Sequence, residues 1–295
     1  MGTLRGILTM ALIGLNLLFW AIPLYLVAFV KLLPFDGLRT RCDRALVRLA
    51  QCWISGNNLV FRITQDIEWD VEGVEGLERR DWYLVLCNHQ SWVDILVLQG
   101  VFNRRIPFLK FFLKRELIWV PVLGFAWWAL DFPFMQRHSR EYLERHPEAR
   151  GQDLAATQRA CEHFSRMPTS VMNFVEGTRF TPDKHAAQSS PHRHLLLPKA
   201  GGVAFVMAAM GDILHRLLDV TVVYPGGTPS LWDMCCGKLR KVAVRVTVRE
   251  LPEWARRGDY QQDPEFRARF QAWLSALWAE KDRQFSAVLS AEARA

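Results

Sequence analysis

Trp82-Tyr83-Leu84-Val85-Leu86-Cys87 is aromatic and aliphatic throughout and too short to make a helix of its own, which predicts a buried strand. Asn88, His89 and Gln90 interrupt it. Ser91, with Asp94 three residues on and Ile95-Leu96-Val97-Leu98 behind it, has the form of a capping box ahead of an apolar helix. A strand that feeds straight into a helix is the unit from which α/β sheets are built. Further strands and helices alternate along the chain, so the expected class is α/β, a mixed central sheet flanked by helices. His89 then falls on the turn between strand and helix.

The His89-to-Asp94 spacing carries chemistry. On one continuous helix, residues five apart point about 140° away from each other. They meet only if the histidine lies just outside the helix and the aspartate in its first turn, which this sequence allows. An imidazole held at one nitrogen by a carboxylate keeps the other nitrogen as a base, suited to taking a proton from a hydroxyl as it attacks an acyl carbon. Taken alone, the pair also fits a plain capping box beside a turn histidine.

The wider context adds a resemblance. Asn88-His89-Gln90-Ser91-Trp92-Val93-Asp94 resembles the His-x4-Asp motif of the glycerolipid acyltransferases, typified by bacterial 1-acylglycerol-3-phosphate acyltransferase of the PlsC type. Phe174-Val175-Glu176-Gly177-Thr178-Arg179 resembles that family's second block and stands in the right order. The long loop after it, with Pro198-Lys199-Ala200-Gly201, is similar to the bacterial YihG-like subgroup and to eukaryotic lysocardiolipin-type relatives. The resemblance runs from about Leu59 to Gly226.

What the resemblance implies is specific. The donor is an acyl thioester on coenzyme A or acyl carrier protein. The acceptor is a lysophospholipid, foremost 1-acylglycerol 3-phosphate, and the product is phosphatidic acid. His89 takes the proton from the sn-2 hydroxyl and Asp94 orients the ring. Backbone N–H groups near the helix N-terminus or at Gly177 receive the oxyanion. Arg179 is the first choice for the acceptor phosphate, because a guanidinium matches two of its oxygens. Lys114 and Lys199 come next. Arg137 is carried over from Phe132-Pro133-Phe134-Met135-Gln136-Arg137, where the match is partial. Glu176 is expected to hold the Gly177-Thr178 turn or to aim Arg179. No metal and no resident cofactor are implied. The competing readings are the same chemistry on lysocardiolipin, another lysophospholipid or glycerol 3-phosphate, and a non-catalytic membrane-binding protein.

No charged residue occurs from Gly6 to Val30, a length that can cross a bilayer, for which ~20 apolar residues suffice. Pro23 interrupts the run and allows it to bend or split into a helix pair. Arg5 precedes it, whereas Lys31, Arg39, Arg41, Arg44 and Arg48 follow, so the body is expected to face the cytoplasm, in a bacterium at the inner membrane. The membrane phospholipid surface is thus an expected partner. A net charge of +7 with 12 tryptophans also suits nucleic acid. The aromatics, however, cluster with aliphatics and no nucleic-acid motif is present, so that partner is not expected. Six cysteines show neither ligand spacing nor a disulfide framework, which fits a reducing compartment.

The expected organisation is a membrane-anchoring segment over 1–55, a catalytic domain over 56–230, and a strand and amphipathic helix packed on it over 231–295. Within it we expect a linking helix from Arg44 to Ile54 ending at Gly56-Asn57-Asn58. Strands are expected over Leu59–Thr64, Ile67–Val71, Ile106–Phe112, Ser170–Phe174, Val220–Tyr224 and Lys241–Arg249. Helices are expected over Leu117–Leu130, Asp153–Ser165, about 198–217, and along the Phe266, Phe270, Trp273, Leu277, Trp278 face. Thr181–Leu197 reads as a polar loop whose His185, His192 and His194 lack the spacing of a metal site. Tyr224, before Pro225, departs from the family's commoner valine-rich form.

Overall fold

The computed structural model describes residues 1–135, 145, 161, 164, 167–214 and 216–294. The expected helix over Asp153–Ser165 and the candidate Arg137 lie outside them. The chain opens with two long helices, α1 (Gly2–Lys31) and α2 (Asp36–Thr64). Then come β1 (Glu68–Glu72), β2 (Tyr83–Cys87), α3 (Val93–Phe102), β3 (Leu109–Phe111) and β4 (Leu113–Lys114). A 3-10 turn (Arg115–Trp119), α4 (Leu123–Ala129) and β5 (Phe134–Met135) follow. Next are β6 (Ser170–Phe174), α5 (Pro182–Gln188), α6 (Ala200–Met210), β7 (Arg216–Val223) and α7 (Leu231–Cys235). β8 (Lys241–Glu250), α8 (Glu253–Arg256) and α9 (Pro264–Glu292) end the chain.

Among the described residues the central sheet has the order β1-β8-β7-β2-β6-β3. β8 pairs antiparallel with β7, and the other neighbours are parallel. β2 is buried along its whole length because both its faces are covered. Tyr83, Val85 and Cys87 pack into one core with α3 and the α1–α2 pair; Leu84 and Leu86 pack into a second core with α6 and α9. The expected mixed α/β layering is therefore present. β4 and β5 form a separate two-stranded ribbon.

Several local expectations fail for identifiable reasons. Leu59–Thr64 is the last part of α2, not a strand. Gly56-Asn57-Asn58 looks like a break but is a place where helices touch. A Cβ on Gly56 would stand 2.2 Å from the Asn16 side chain, and Asn16 Nδ2 donates to Trp53 O and Asn57 Oδ1, both at 2.9 Å. α1 runs on through Pro23 as one helix, held before the proline by Asn16 and after it by Tyr25, whose hydroxyl donates to Val122 O at 2.7 Å. The expected helix over Leu117–Leu130 is broken at Pro121 and at Val122, which has φ 64°. Thr181–Leu197 contains α5, capped by Thr181 with Pro182 in its first turn, a start signal visible in the sequence. α6 stops at Met210, and β7 starts earlier than expected, at Arg216. Short apolar runs such as Ile213-Leu214 do not distinguish the two states by pattern alone.

α1 lies against the body over its length. Besides Asn16 and Tyr25, Gln65 Nε2 donates to Thr9 Oγ1 at 2.9 Å, and Lys31 bonds Ala129 O and the Asp131 and Asp43 carboxylates. Its other face leaves Leu4, Ile7, Leu15, Leu18, Phe19, Ile22 and Phe29 exposed. It is the single described helix long and apolar enough to cross a membrane.

Candidate active site

β6, β2 and β7 are adjacent and parallel, so their carboxyl ends open on one edge of the sheet. After β2 the chain turns to α3 on one face; α6, which follows β6, lies on the other. The gap between two such diverging connections is where open α/β sheets hold their ligands. The turns after these strands are 88–92, 175–181 and 224–230.

The first turn is fastened from Asn88 to Ser91. Asn88 extends the sheet with its side chain: Nδ2 donates to Val222 O and Oδ1 accepts from Val222 N, both at 2.9 Å. His89 O accepts from Phe180 N at 2.7 Å. Gln90 Oε1 accepts from Thr228 Oγ1 at 3.0 Å, and Ser91 Oγ donates to Pro229 O. Only half of the expected Ser91–Asp94 capping box forms, because α3 starts one residue later, with Trp92 at its N-cap, and Asp94 N donates to Ser91 O and not to Ser91 Oγ. Ser91 Oγ accepts from Val93 N, and Asp94 Oδ2 accepts from Ser91 N at 2.9 Å and from Gln90 N at 2.7 Å.

The same Asp94 Oδ2 lies 2.9 Å from His89 Nδ1. Asp94 is completely buried, while the His89 side chain is 13% exposed. The ring stacks on Phe174, centroids 3.9 Å apart. Among the described residues Nε2 has no hydrogen-bond partner. Asp94 Oδ1 accepts a bond from the Tyr224 hydroxyl at 2.6 Å, and burial with the adjacent carboxylate drives that phenol's pKa well above its ordinary value. This partner of Asp94 was not among the sequence candidates.

Glu176 is also fully buried. Its two oxygens face His89 N and Leu196 N, each at 3.4 Å, joining the His89 turn to the segment that leads into α6. Burial pushes its carboxyl up to about 8, only partly offset by those two N–H groups. Glu176 thus holds more than its own turn. Gly177 has φ 68°, the left-handed backbone that suits glycine, and its N–H donates to Phe174 O at 2.9 Å. That N–H, expected at the oxyanion, is engaged, as are those of His89, Gln90 and Ser91.

The Acyltransferase family profile matches residues 68–229. The chain belongs to that family. A 1-acyl-sn-glycerol-3-phosphate acyltransferase delta from Mus musculus is 26% identical over 212 residues, 68% of this chain and 51% of the relative. A gamma form, also from Mus musculus, is 27% identical over 214 residues, 69% of this chain and 52% of the relative. The chain therefore spans about half the length of these relatives. Among solved structures, the 1-acyl-sn-glycerophosphate (LPA) acyltransferase PlsC from Thermotoga maritima shares the fold, with TM-score 0.57 and 17% identity, covering 97% of this chain and 98% of that one.

In this chain the basic residues fall into two groups. Arg179 is exposed, its guanidinium 5.1 Å from the Trp92 ring centroid. Lys199 caps α6 and reaches over Gly177, where its Nζ would be 3.3 Å from an added Cβ. Lys184, absent from the sequence candidates, donates to Thr178 Oγ1 at 2.8 Å and to Arg179 O at 3.0 Å, bracing the turn that presents Arg179. Lys114 stands apart on the β4–β5 ribbon, exposed. His185 Nε2 and His192 O are 2.6 Å apart and His194 stacks on Phe285, so the three loop histidines have other contacts. Among the described residues no group of His, Cys, Asp or Glu is gathered as a metal site requires.

Proposed function

We propose that this protein transfers an acyl group from a thioester, on coenzyme A or acyl carrier protein, to the sn-2 hydroxyl of 1-acylglycerol 3-phosphate. The observation that carries the reading is the 2.9 Å contact of His89 Nδ1 with the buried Asp94 carboxylate, with Nε2 left to the open side. Nδ1–H donates to Asp94, which fixes the tautomer and makes Nε2 the base. Nε2 takes the hydroxyl proton as the oxygen attacks the thioester carbon. The tetrahedral intermediate collapses, the C–S bond breaks, and the imidazolium returns its proton to the departing thiolate. Arg179 and Lys199, on and beside the Glu176–Arg179 turn, supply positive charge for the acceptor's phosphate. A thiol-release assay across an acceptor panel tests the substrate class. Equal turnover of phosphorylated and uncharged acceptors sinks it.

The Arg179 assignment has its own test. Arg179→Lys keeps the charge but loses the planar fork. A charge-assisted hydrogen bond contributes ~1.5–3 kcal/mol, so acceptor kcat/KM is expected to fall roughly ten- to a hundred-fold, with donor KM and Tm unchanged. A parallel loss for donor and acceptor, with lowered Tm, would make Arg179 a brace of the fold instead.

We further propose that α1 is embedded in the cytoplasmic leaflet of the bacterial inner membrane, with the body in the cytoplasm. The bonds from Thr9 to Lys31 along the body and the apolar outer face of α1 support embedding over crossing. An epitope tag at the N-terminus is then expected to be accessible from the cytoplasmic side alone. Accessibility from the far side indicates a crossing helix. Placement in the YihG-like subgroup rests on the Glu176–Thr181 and Pro198–Gly201 residues.

A further inference from the structure

We infer that Tyr224 is a positioning residue of the acyl transfer, its hydroxyl holding Asp94 Oδ1 so that the imidazole always meets Oδ2. The inference rests on the reading of His89 and Asp94 as the reacting dyad. Asp94 has four donors around two oxygens: His89 Nδ1, Gln90 N and Ser91 N on Oδ2, and Tyr224 on Oδ1 at 2.6 Å. Among the described residues Oδ1 has no other hydrogen-bond partner. Both residues are buried, Asp94 completely and Tyr224 to 4% exposure, so water is not at hand to replace the phenol.

The tyrosine is itself fixed. It follows β7 directly, where the Asn88 side chain pins Val222, and Tyr224 O accepts from Gly227 N at 3.0 Å. Burial and the neighbouring carboxylate keep the phenol protonated, so it acts as a donor and takes no proton in the reaction. A donor on Oδ1 draws charge away from the carboxylate. That holds the plane of the carboxylate against which the ring is set.

The test compares wild type with Tyr224→Phe, which keeps the ring and removes the hydroxyl. Thioester turnover is expected to fall roughly tenfold in kcat, with both KM values unchanged. The acid limb of the pH–kcat profile is expected to move to higher pH, because a buried carboxylate that loses a donor favours a positive ring beside it more. The other titratable groups around the dyad are Cys87 at the end of β2, Glu176 after β6, and the Lys281–Asp219 pair between α9 and β7. Arg179 and Lys199 stand at the rim. None of these is altered in the variant.

3-Fluorotyrosine at position 224 is a stronger donor of nearly the same size, and it is expected to move the acid limb the other way. A tyrosine that only fills space leaves the limb in place in both proteins, and that result overturns the inference. Asp94→Asn run in parallel separates the two failures. An active Asp94→Asn protein removes the dyad reading itself. An inactive one, beside a Tyr224→Phe protein that matches wild type in kcat and acid limb, removes only the role of Tyr224.

Discussion

His89→Ala is expected to lower kcat by about 10³–10⁴-fold, near the upper end of what a positioned base contributes. Its Tm is expected to stay within a few degrees of wild type. The ring is partly exposed, and besides stacking on Phe174 it bonds Asp94, whose carboxylate keeps three other donors when the ring is lost. Membrane association should be unchanged, since α1 lies elsewhere. Asp94→Asn should be as inactive but for two reasons, and the second is visible in stability. Asp94 accepts four hydrogen bonds with two oxygens. An asparagine offers one oxygen, and its NH2 must face donors. Hydrogen bonds to a charged group contribute ~1.5–3 kcal/mol each, so the Asp94→Asn protein is expected to melt well below His89→Ala. Calorimetry beside the thioester assay checks both. Wild-type turnover in a folded His89→Ala protein would remove His89 as the base. Equal melting points would mean that Asp94 is not the hub of its turn.

The site's chain order and chemistry were legible where residues near in sequence do the work. The strand over Tyr83–Cys87, its polar break and the helix behind it have side chains that bond within the turn itself, as Ser91 and Asp94 do. Residues joined across the sheet were not legible. Nothing about Tyr224 in the sequence says that it faces Asp94; only the parallel pairing of β2 with β7 does. Asn88 has the look of a break, although its side chain continues the pairing of β2 with β7 by bonding both backbone groups of Val222. In α2 the structure departs from the local signal for a related reason. Glycine and asparagine mark turns when solvent surrounds them, whereas Gly56 and Asn57 are covered by α1 and there permit close approach. Tertiary contact decided the meaning of a local signal.

Glu176 shows how far burial has moved one member of the site, and the consequence is a pH dependence of stability. Its folded carboxyl is raised from 4.5 to about 8 by burial. Between those values the unfolded chain has lost this proton while the folded chain keeps it, so unfolding releases a proton. Stability from this group is therefore fully present below the unfolded value and declines as pH rises toward the folded one. The slope is at most ~1.4 kcal/mol per pH unit, which amounts to several kcal/mol over the window. Glu176→Gln has no proton to lose and keeps an oxygen to accept from His89 N or Leu196 N. At pH 5 the two proteins are expected to melt alike. By pH 8 the Gln variant should be the more stable, with the gap widening steadily between. Melting curves that stay parallel from pH 5 to 8 would mean that Glu176 is already ionised in the folded protein. The same titration bears on activity, because Glu176 ties the His89 turn to the segment that carries Lys199. Those two N–H groups favour the charged carboxylate whereas burial disfavours it, so ionisation places an ill-solvated charge in the site without releasing the tie. Loss of activity above pH 8 that is relieved in Glu176→Gln is the expected signature of that buried charge.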